Sequence, residues 1–412
     1  MINYEEFKLE NGLKVIFHQD KTTPLAVLNV LYDVGARDEV ESRTGFAHLF
    51  EHLMFGGSKN IPNFDPPLQM AGGECNAFTS NDITNYYNTL PAQNIETAFW
   101  LESDRMMELA FTPKSLEVQR GVVIEEFKQR YLNQPYGDVW LNFRPLIYKN
   151  HPYKWATIGK EIEHIEKATM EDVKAFFFKH YSPQNAILVV GGNLELTDVK
   201  QMAEKWFGPI PAREKYVRNI PAEPEQTEAR ELVLERDVPS EAIYMAFRMG
   251  SRTTTEHFTG DLCSDIIAGS KSSRLYNRLV VEEKKFSSIS AYITGGLEEG
   301  LFVVSGHLNK DVTFEEAEAA IWESLEELQV ELMDPKELTK VKNKHKTSKV
   351  FSEQRLLNRV MNIAFFENMG ELDEINNVLE NYDRITAEDI QDFSKRIFAR
   401  NRQSVLKVKT KK

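Results

Sequence analysis

The sequence predicts an α+β protein of two homologous domains, each a largely antiparallel sheet packed with helices. At 412 residues, the chain exceeds the length at which a single hydrophobic core keeps growing. Strand patterns are grouped with long helical patterns, which favours helices packed on a sheet. The first half of the chain also resembles the second. Two domains of one architecture are therefore expected.

The internal similarity rests on two separate matches. The segments 168–190 and 385–408 both carry Thr, two residues and Asp, followed by an amphipathic helix, a polar turn and an apolar strand, and their aligned Glu-Asp pairs lie 217 residues apart. Gly35 and Gly250, which end strands in similar contexts, lie 215 residues apart. A helix, turn and strand can recur by coincidence, but the agreement of the two offsets favours duplication.

The strand predictions follow from apolar and polar side chains that alternate in short runs. Each half begins with two such strands, continues into helices, and closes with a helix and a strand. The strand sequences are GLKVIFHQ at 12–19, LAVLNVLYDV at 25–34 and NAILVVGG at 185–192 in the first half, then RELVLERDV at 230–238 and AIYMAFRM at 242–249 in the second.

A proline-rich, charged stretch separates the two halves. It reads FGPIPAREKYVRNIPAEPEQTEAR from 207 to 230 and holds four prolines among charged residues. Such composition is typical of an exposed, semi-extended linker. We therefore predict an N-terminal domain at 1–210, a linker at 211–229 and a homologous C-terminal domain at 230–412.

Composition and charge exclude several classes of protein. Hydrophobic residues make up 42% and charged residues 27% of the chain, and no apolar run approaches the roughly 20 residues that a membrane helix needs. The net charge is −13 and the basic residues are scattered, so no surface for nucleic acid is indicated. Neither a glycine-rich dinucleotide fingerprint nor a P-loop is present. We therefore expect no membrane partner and no nucleic-acid partner.

The cysteines and the N-terminal sequence bear on the compartment. Cys75 and Cys263 are too few for a disulfide framework, which is consistent with a reducing compartment. The opening MINYEEFKLENGLKVIF is acidic where a signal peptide needs positive charge. A cytoplasmic location is expected, or a periplasmic or organellar one if a targeting segment was removed.

The stretch GFAHLFEHLMFGG at 45–57 places two histidines and a glutamate in an otherwise apolar helix. Its apolar positions nearly surround the helix, as in a buried one. His48, Glu51 and His52 share one face, because residues three and four apart are neighbours on a helix. Two imidazoles placed in this way can bind zinc, and a carboxylate beside them can act on water. The pattern H-x-x-E-H is the inverse of the zinc motif H-E-x-x-H.

A five-residue motif has an alternative explanation, because a buried histidine is usually a satisfied core residue. A catalytic zinc site needs a third protein ligand. The downstream helix offers Glu117, Glu125 and Glu126 beside an apolar run at 122–124 that is expected to be buried. Glu126, which lies 74 residues after His52, is the candidate for the third ligand.

Three ordered motifs resemble those of one enzyme family. They are GFAHLFEHLMFGGS at 45–58, GGECNAFTSNDITNYY at 72–87 and LEVQRGVVIEEFKQR at 116–130. Together they are similar to the pitrilysin or insulinase family of zinc peptidases, which includes mitochondrial processing peptidase and the zinc-bearing subunits of heterodimeric bacterial peptidases. The resemblance extends over the whole chain, because the short members of the family consist of two homologous halves.

The resemblance implies a role for each site residue. Zinc would be held by His48, His52 and Glu126. Glu51 would be the general base that activates water and passes the proton to the leaving amine. Glu125 would point roughly 100° away from Glu126 on the helix and would be solvated. Zn²⁺ is therefore the expected cofactor.

The family binds its substrates as an added strand along a sheet edge. The matching segment here is Asn76, Ala77, Phe78 and Thr79. Backbone pairing of this kind gives affinity with little demand on the substrate sequence. Without the zinc motif, the same segment would be explained as an ordinary strand and turn. Peptides are the expected substrates.

The chain departs from the family pattern at one position near the zinc ligands. Many relatives carry a second Glu seven residues before the third ligand, where this chain has Gln119. Gln can form hydrogen bonds but brings no charge. We therefore expect Gln119 to support the ligands without being one of them.

A second departure lies in the C-terminal half. Complete family members have there an Arg that is followed seven residues later by a Tyr, and both reach the substrate. Neither Arg274 nor Arg278 has a Tyr at that spacing, and Tyr292 lies too far along. We expect Arg274 to be structural and this half to lack a metal site. The residues at the positions of the zinc motif are Gly260, Cys263 and Ser264.

The expected protein is a zinc-dependent endopeptidase that acts on peptides or unfolded segments. A complete zinc site without the Arg and Tyr pair predicts the catalytic subunit of a two-chain complex, in which a homologous partner supplies that pair. A homodimer is the alternative assembly, and processing of one specific presequence is the alternative activity. A non-catalytic scaffold of the same fold is the competing hypothesis, and it predicts eroded ligands.

Overall fold

The structure, a computed structural model, describes residues 1–411 and divides the chain into two compact units. Neither unit is continuous in sequence. Unit 1 contains Met1–Gln129, His151–Pro221 and Val350–Asn376. Unit 2 contains Arg130–Asn150, Ala222–Lys349 and the residues from Asn377 on. Each half of the chain therefore gives one segment to the unit that the other half mainly forms.

Unit 1 contains a six-stranded sheet in the order β1-β2-β6-β3-β5-β4. Neighbouring strands β2 and β6 are parallel, and all the other neighbours are antiparallel. Strand β4 is thus an edge strand. The strands are β1 Glu5–Lys8, β2 Lys14–Gln19, β3 Leu25–Tyr32, β4 Glu74–Thr79, β5 Thr84–Pro91 and β6 Ala186–Gly192.

Unit 2 contains a five-stranded sheet in the order β7-β11-β8-β10-β9. Its strands are β7 Arg230–Arg236, β8 Ala242–Met249, β9 Phe286–Thr294, β10 Gly300–Leu308 and β11 Ser404–Thr410. Strands β7 and β11 are parallel, and the other neighbours are antiparallel. This order reproduces β2-β6-β3-β5-β4 of unit 1 strand for strand. The predicted fold class, with two homologous and largely antiparallel sheets, is confirmed.

The helices follow the strands in a repeated order along the chain. None of those in the described residues combines the length and apolarity needed to cross a bilayer. The helices are α1 Phe46–Leu53, α2 Asp65–Met70, α3 Glu96–Met107, α4 Pro113–Phe127, α5 Val139–Ile147, α6 Ile162–Glu166, α7 Met170–His180, α8 Leu196–Trp206, α9 Thr255–Ala268, α10 Phe314–Val330, α11 Pro335–Glu353, α12 Leu356–Met369, α13 Val378–Arg384 and α14 Ala387–Ile397.

The repeated Thr-x-x-Asp pattern is a capping box in each unit. The Thr169 hydroxyl accepts a hydrogen bond from the Asp172 N–H, and the Asp172 carboxylate accepts one from the Thr169 N–H. Thr386 and Asp389 make the same pair of bonds at the start of α14. Each box satisfies two backbone N–H donors that the first helical turn would leave without a partner. The sequence match therefore has a local structural cause.

Two helices account for the exchange of segments between the halves. Helix α12 lies in the C-terminal half of the sequence but packs on β2, β3 and β6 of unit 1, while α5 lies in the N-terminal half and packs on β7 and β11 of unit 2. The buried face of α12 consists of Val360, Ile363 and Ala364. These side chains join a core cluster with Ile16, Val27, Leu31 and Val189.

The proline-rich stretch has neither helix nor strand from 211 to 227. Two arginines nevertheless attach its first part to unit 1. Arg213 donates to the carbonyl oxygens of Tyr181 and Met107 at 2.5 and 2.9 Å. Arg218 forms ion pairs with Asp38 at 2.7 Å and with Asp33 at 2.9 Å. Residues 213–218 are thus bound within unit 1 although they form no regular secondary structure.

Candidate metal centre

Helix α1 is buried except for one polar face. Its buried residues are Phe46, Ala47, Leu49, Phe50 and Leu53. Phe50 stacks on Phe176 of α7 with a ring-centroid distance of 4.9 Å. His48, Glu51 and His52 occupy the remaining face, and the two imidazole side chains are 13% and 24% exposed. The apolar residues of α1 therefore hold the helix in the core, while its polar face stays partly exposed.

Helix α4 brings a carboxylate to that face. The side chain of Thr112 accepts a hydrogen bond from the Ser115 N–H at 3.1 Å and caps the helix, and Pro113 suits the first helical position. Helix α4 packs against α1 and α6. Glu126 lies in its last turn, with the side chain 18% exposed. The buried residues of α4 are Leu116, Val123 and Phe127.

The burial of α4 differs from the sequence prediction within the run 122–124, where Ile124 is half-buried. Val123 is buried, but Val122 is 45% exposed, because only one stripe of the helix is covered. The prediction of a fully buried run at 122–124 is therefore wrong. Glu125 is exposed and forms an ion pair with Lys128 at 2.7 Å. Its direction on the helix agrees with the solvated position that the sequence predicts.

The side chains of His48, His52 and Glu126 converge. The Nε2 atoms of His48 and His52 lie 3.7 and 3.5 Å from Oε2 of Glu126. One ligand atom from each of the three residues lies within 4.8 Å of the others. Among residues 1–411, this is the only group of three or more histidine, cysteine and acidic side chains with such geometry.

This geometry fits a zinc ion. Zinc binds imidazole nitrogen and carboxylate oxygen at about 2.0 to 2.2 Å in a tetrahedron, which puts two ligand atoms about 3.4 Å apart. The two measured separations, 3.5 and 3.7 Å, are close to that value. Two imidazoles and one carboxylate also form a donor set of catalytic zinc sites, where a fourth position stays open. The residues present therefore suit the metal that the sequence predicts.

Glu51 lies beside this cluster and is hydrogen-bonded to the sheet. The Thr79 hydroxyl donates to Oε2 of Glu51 at 2.6 Å. Burial raises the pKa of Glu51, and the hydrogen bond from Thr79 opposes the rise. A half-buried carboxylate with a raised pKa is a better proton acceptor than a solvated one.

Strand β4 carries all four residues of the predicted substrate segment. It lies next to α1 and pairs with β5 within the sheet, so its other side is an edge. Asn76 and Phe78 are exposed, whereas Ala77 and Thr79 alternate with them and are half-buried. The Ala77 N–H donates to Oδ1 of its neighbour Asn76 at 2.8 Å. The segment thus combines an open edge with one side chain, Thr79, that reaches Glu51.

Gln119 lies two turns before Glu126 on α4 and is half-buried. Residues seven apart lie close to one face of a helix. The side chain of Gln119 therefore projects from the same side of α4 as Glu126.

Arg274 and Arg278 form ion pairs within unit 2. Arg274 forms an ion pair with Glu337 at 2.7 Å and is half-buried, which agrees with a structural role. Arg278 pairs with Glu283, Glu323 and Glu327. Tyr292 is half-buried on β9. Gly260, Cys263 and Ser264 are buried in α9.

Glu39 is a residue of this region that the sequence analysis did not single out. It is 7% exposed, and its two carboxyl oxygens accept hydrogen bonds from the N–H groups of Gly45 and Ala47 at the start of α1. Burial raises the pKa of Glu39, although these N–H groups oppose the rise. The sequence offers one signal for such a residue. Gly45, at the N-cap of α1, has no side chain to accept these bonds, so the helix needs an acceptor from elsewhere.

Two family models match the chain. Residues 14–145 match the model described as Insulinase (Peptidase family M16), and residues 167–344 match the model described as Peptidase M16 inactive domain. The first match contains the whole cluster of His48, His52 and Glu126. The second covers most of unit 2, in which the cluster has no counterpart among the described residues.

Individual relatives and a solved structure are also similar to the chain. The zinc protease PqqE of Helicobacter pylori is 30% identical over 345 residues, which cover 82% of this chain and 78% of that protein. The mitochondrial-processing peptidase subunit beta of Saccharomyces cerevisiae is 28% identical over 213 residues, 51% of this chain and 46% of that protein. A crystal structure of a protease from Helicobacter pylori matches with a TM-score of 0.93 at 27% identity, covering 99% of this chain and 100% of that one. The chain therefore belongs to the insulinase family, peptidase family M16.

Proposed function

We propose that the chain is a zinc-dependent endopeptidase that hydrolyses peptides or unfolded polypeptide segments. The observation that carries the proposal is the convergence of His48, His52 and Glu126, with the Glu51 carboxylate on the same helix face. Relatives named zinc protease and mitochondrial-processing peptidase support the same class of activity. The intact ligand set argues against a scaffold, for which we would expect the ligands to be eroded.

Each side chain has a distinct task in this proposal. His48, His52 and Glu126 would hold the ion. Zinc in such a site supplies Lewis-acid chemistry, because it lowers the pKa of water and polarises a carbonyl oxygen. Glu51 would accept a proton from the attacking water and deliver it to the nitrogen of the leaving amine. Gln119 would support the ligand helix without contributing charge.

The substrate would lie along the free edge of β4, paired with the backbone of Asn76, Ala77, Phe78 and Thr79. Main-chain hydrogen bonds would give affinity for many sequences, as expected for peptides or unfolded segments. Thr79 would then have two roles: its backbone would border the substrate, and its hydroxyl would orient Glu51. The position of the bound strand and the position of the base are thereby linked through one residue.

We also propose that the enzyme is the catalytic subunit of a two-chain complex, with a homodimer as the alternative. Arg274 and Arg278 are paired with glutamates of their own unit, so neither is available as the substrate-binding arginine of complete family members. A homologous partner would supply the missing Arg and Tyr. A relative named as a subunit supports this assembly.

Metal analysis and peptide hydrolysis test the activity. One zinc per chain and hydrolysis of an unstructured peptide are expected. Glu51→Gln should keep the zinc but lower kcat by about 100-fold or more, because general acid–base catalysis contributes at least that much. Glu126→Gln should lose zinc affinity, while Glu125→Gln, its exposed neighbour, should not. Activity that survives Glu51→Gln would remove Glu51 as the base.

The partner is tested by comparing the isolated chain with the chain mixed with any homologue that co-purifies from its own cells. Hydrolysis by the isolated chain should be weak and should rise when the partner is added. The mass of the native complex distinguishes a heterodimer from a homodimer. Full activity of the zinc-loaded chain alone would contradict the two-chain proposal, and zinc binding without hydrolysis in any mixture would favour the scaffold.

A further inference from the structure

Helix α1 begins at a residue that cannot cap it. Gly45, at the N-cap, has a φ of 87°, and a Cβ there would lie 2.7 Å from the carbonyl oxygen of Ile158. Both the backbone angle and the close approach require glycine at this position. Glycine offers no side-chain acceptor, yet the first N–H groups of a helix need one. The acceptor must therefore come from another part of the chain.

Glu39 supplies that acceptor. Its Oε2 accepts from the Gly45 N–H at 2.9 Å, and its Oε1 accepts from the Ala47 N–H at 2.8 Å. The residue lies in the loop after β3, directly behind the 3₁₀ turn Ala36–Asp38. Two bonds from one planar group fix both the distance and the orientation of the first turn of α1. Because the side chain is only 7% exposed, water cannot replace it readily.

The position of this first turn determines where the imidazoles lie. Ala47, whose N–H is held, immediately precedes His48, and His52 follows one turn later. Their Nε2 atoms must each stay about 3.5 Å from Oε2 of Glu126 for one ion to contact all three side chains. A metal or catalytic site tolerates displacements of only about 0.5 Å before its function suffers. A small shift of α1 along its axis would therefore separate the ligand atoms.

We infer that Glu39 is a positioning residue of the metal centre, which holds α1 where His48 and His52 can share an ion with Glu126. The inference rests on the proposed function, because it assigns a role within the same site. Glu39 acts through the backbone of α1 and does not touch the ligand atoms. It thus differs from an ordinary helix cap such as Thr386, which stabilises α14, a helix that carries no metal-binding residues.

Glu39→Gln in the full-length chain tests the inference, with Thr386→Ala as the matched control. Gln keeps the shape of the side chain but turns an NH₂ group towards a backbone N–H, so one hydrogen bond is lost. Zinc affinity, measured by chelator competition, should fall about tenfold or more, as for other supporting residues of metal sites. Amides of 45–53 should exchange hydrogen faster, and kcat should fall while KM stays within about twofold. Thr386→Ala should lower Tm and leave zinc affinity and kcat unchanged.

Two results would overturn the inference. One is that Glu39→Gln lowers Tm as Thr386→Ala does but binds zinc with wild-type affinity, since Glu39 would then be an ordinary cap. The other concerns Glu39→Asp, whose side chain is one methylene shorter and which replaces the Gln variant if that variant does not fold. Wild-type zinc affinity in Glu39→Asp would also exclude the role. If the wild-type chain binds zinc but hydrolyses nothing, the proposed function fails, while zinc affinity and hydrogen exchange still decide the role of Glu39.

Discussion

The hydroxyl of Thr79 joins the edge strand to the polar face of α1. It donates to the Glu51 carboxylate at 2.6 Å, although the two residues lie on different elements and 28 positions apart in the sequence. A hydrogen bond to a carboxylate is stronger than one between neutral groups. Thr79 therefore restricts the rotation of Glu51 before any substrate is present.

Replacing Thr79 tests this restriction. Thr79→Val keeps the shape and β propensity of the side chain but removes the donor, so we expect kcat/KM for a peptide to fall about tenfold, the equivalent of one hydrogen bond to a charged group. Thr79→Ser keeps the donor and should stay within about threefold of the wild type. Equal losses in both variants would show that packing on the strand matters and the hydrogen bond does not.

Helical spacing alone predicts that His48, Glu51 and His52 share a face. It does not predict which distant carboxylate meets them. The downstream helix offers Glu117, Glu125 and Glu126, and the resemblance of the RGVVIEE motif assigns the ligand role to Glu126. Glu39 could not be predicted in either way, because its partners are backbone N–H groups and a loop conformation brings it to them. Contacts that depend on backbone atoms and loop geometry leave no periodic pattern in the sequence.

Two buried histidines, one in each unit, make stability depend on pH. Burial lowers the pKa of His180 to about 3, with Lys179 and Arg218 adding to the effect. Burial lowers the pKa of His257 to about 4, with Arg252 adding to it. An unfolded histidine titrates near pH 6.5, so the unfolded chain binds more protons below that value. The free energy of unfolding is therefore expected to fall as pH drops from 6.5 towards 4, by up to about 1.4 kcal/mol per pH unit for each group.

Removing one of these histidines should reduce that dependence. In His180→Gln, the shift in the urea midpoint between pH 7 and pH 5 should be smaller than in the wild type, because one of the two groups no longer takes up a proton on unfolding. The midpoint at pH 7 serves as the reference for any direct effect of the substitution. An unchanged shift would show that His180 takes up no proton on unfolding in this range.

At the scale of elements, α5 and α12 are the helices whose placement the sequence did not reveal. The amphipathic pattern of α12 shows that it has an apolar face, formed by Val360, Ile363 and Ala364. The pattern does not show which sheet covers that face. Composition predicts a division at 211–229, but it carries no signal that each half contributes a helix to the other unit.

Truncation of Ile363 tests the exchange. The residue is fully buried in a cluster with Ile16 and Val27 of unit 1. Ile363→Ala should therefore lower the free energy of unfolding by about 2 to 5 kcal/mol, the usual cost of such a cavity, and the loss should appear in the unit that carries α1. Phe351→Ala, at a side chain that is 64% exposed, should change it by about 0.5 kcal/mol or less. An unchanged free energy of unfolding in Ile363→Ala would contradict the packing.

Helix α4 contains a glycine, Gly121, at a position where the neighbouring atoms leave room for a side chain. A Cβ on Gly121 would meet no atom within 4 Å. Because glycine in a helix costs about 0.5 to 1 kcal/mol relative to alanine, Gly121→Ala should raise the free energy of unfolding by that amount. Gly260→Ala in α9 is the control: its Cβ would lie 2.7 Å from Met249 and 3.1 Å from Phe393, so a loss of stability is expected. A loss in Gly121→Ala would indicate that the exposed face of α4 is covered in solution.

At the scale of the whole molecule, the two units keep one plan but differ in how two helices are joined. By chain order and strand order, α9 and α11 of unit 2 correspond to α1 and α4 of unit 1. There, His345 of α11 lies 3.0 Å from Asp265 of α9, and Lys344 lies 2.6 Å from the same carboxylate. Unit 2 thus links this helix pair through Asp265, with Lys344 as its ion-pair partner, where unit 1 brings His48, His52 and Glu126 together. The repeat offset predicted the duplication, but it could not predict this substitution of one kind of contact by another.

The reciprocal placement of α5 and α12 has a consequence for the history of the chain. A fragment that ends at Pro221 carries α5 but lacks α12, and the remaining fragment carries α12 but lacks α5. Neither repeat therefore encodes all the helices of one unit, and separately expressed fragments should become soluble only when they are combined. Two copies of a single-repeat ancestor could each have covered the sheet of the other with this helix, as in domain swapping. In that view, the present chain holds, within one polypeptide, the exchanged arrangement of such a dimer.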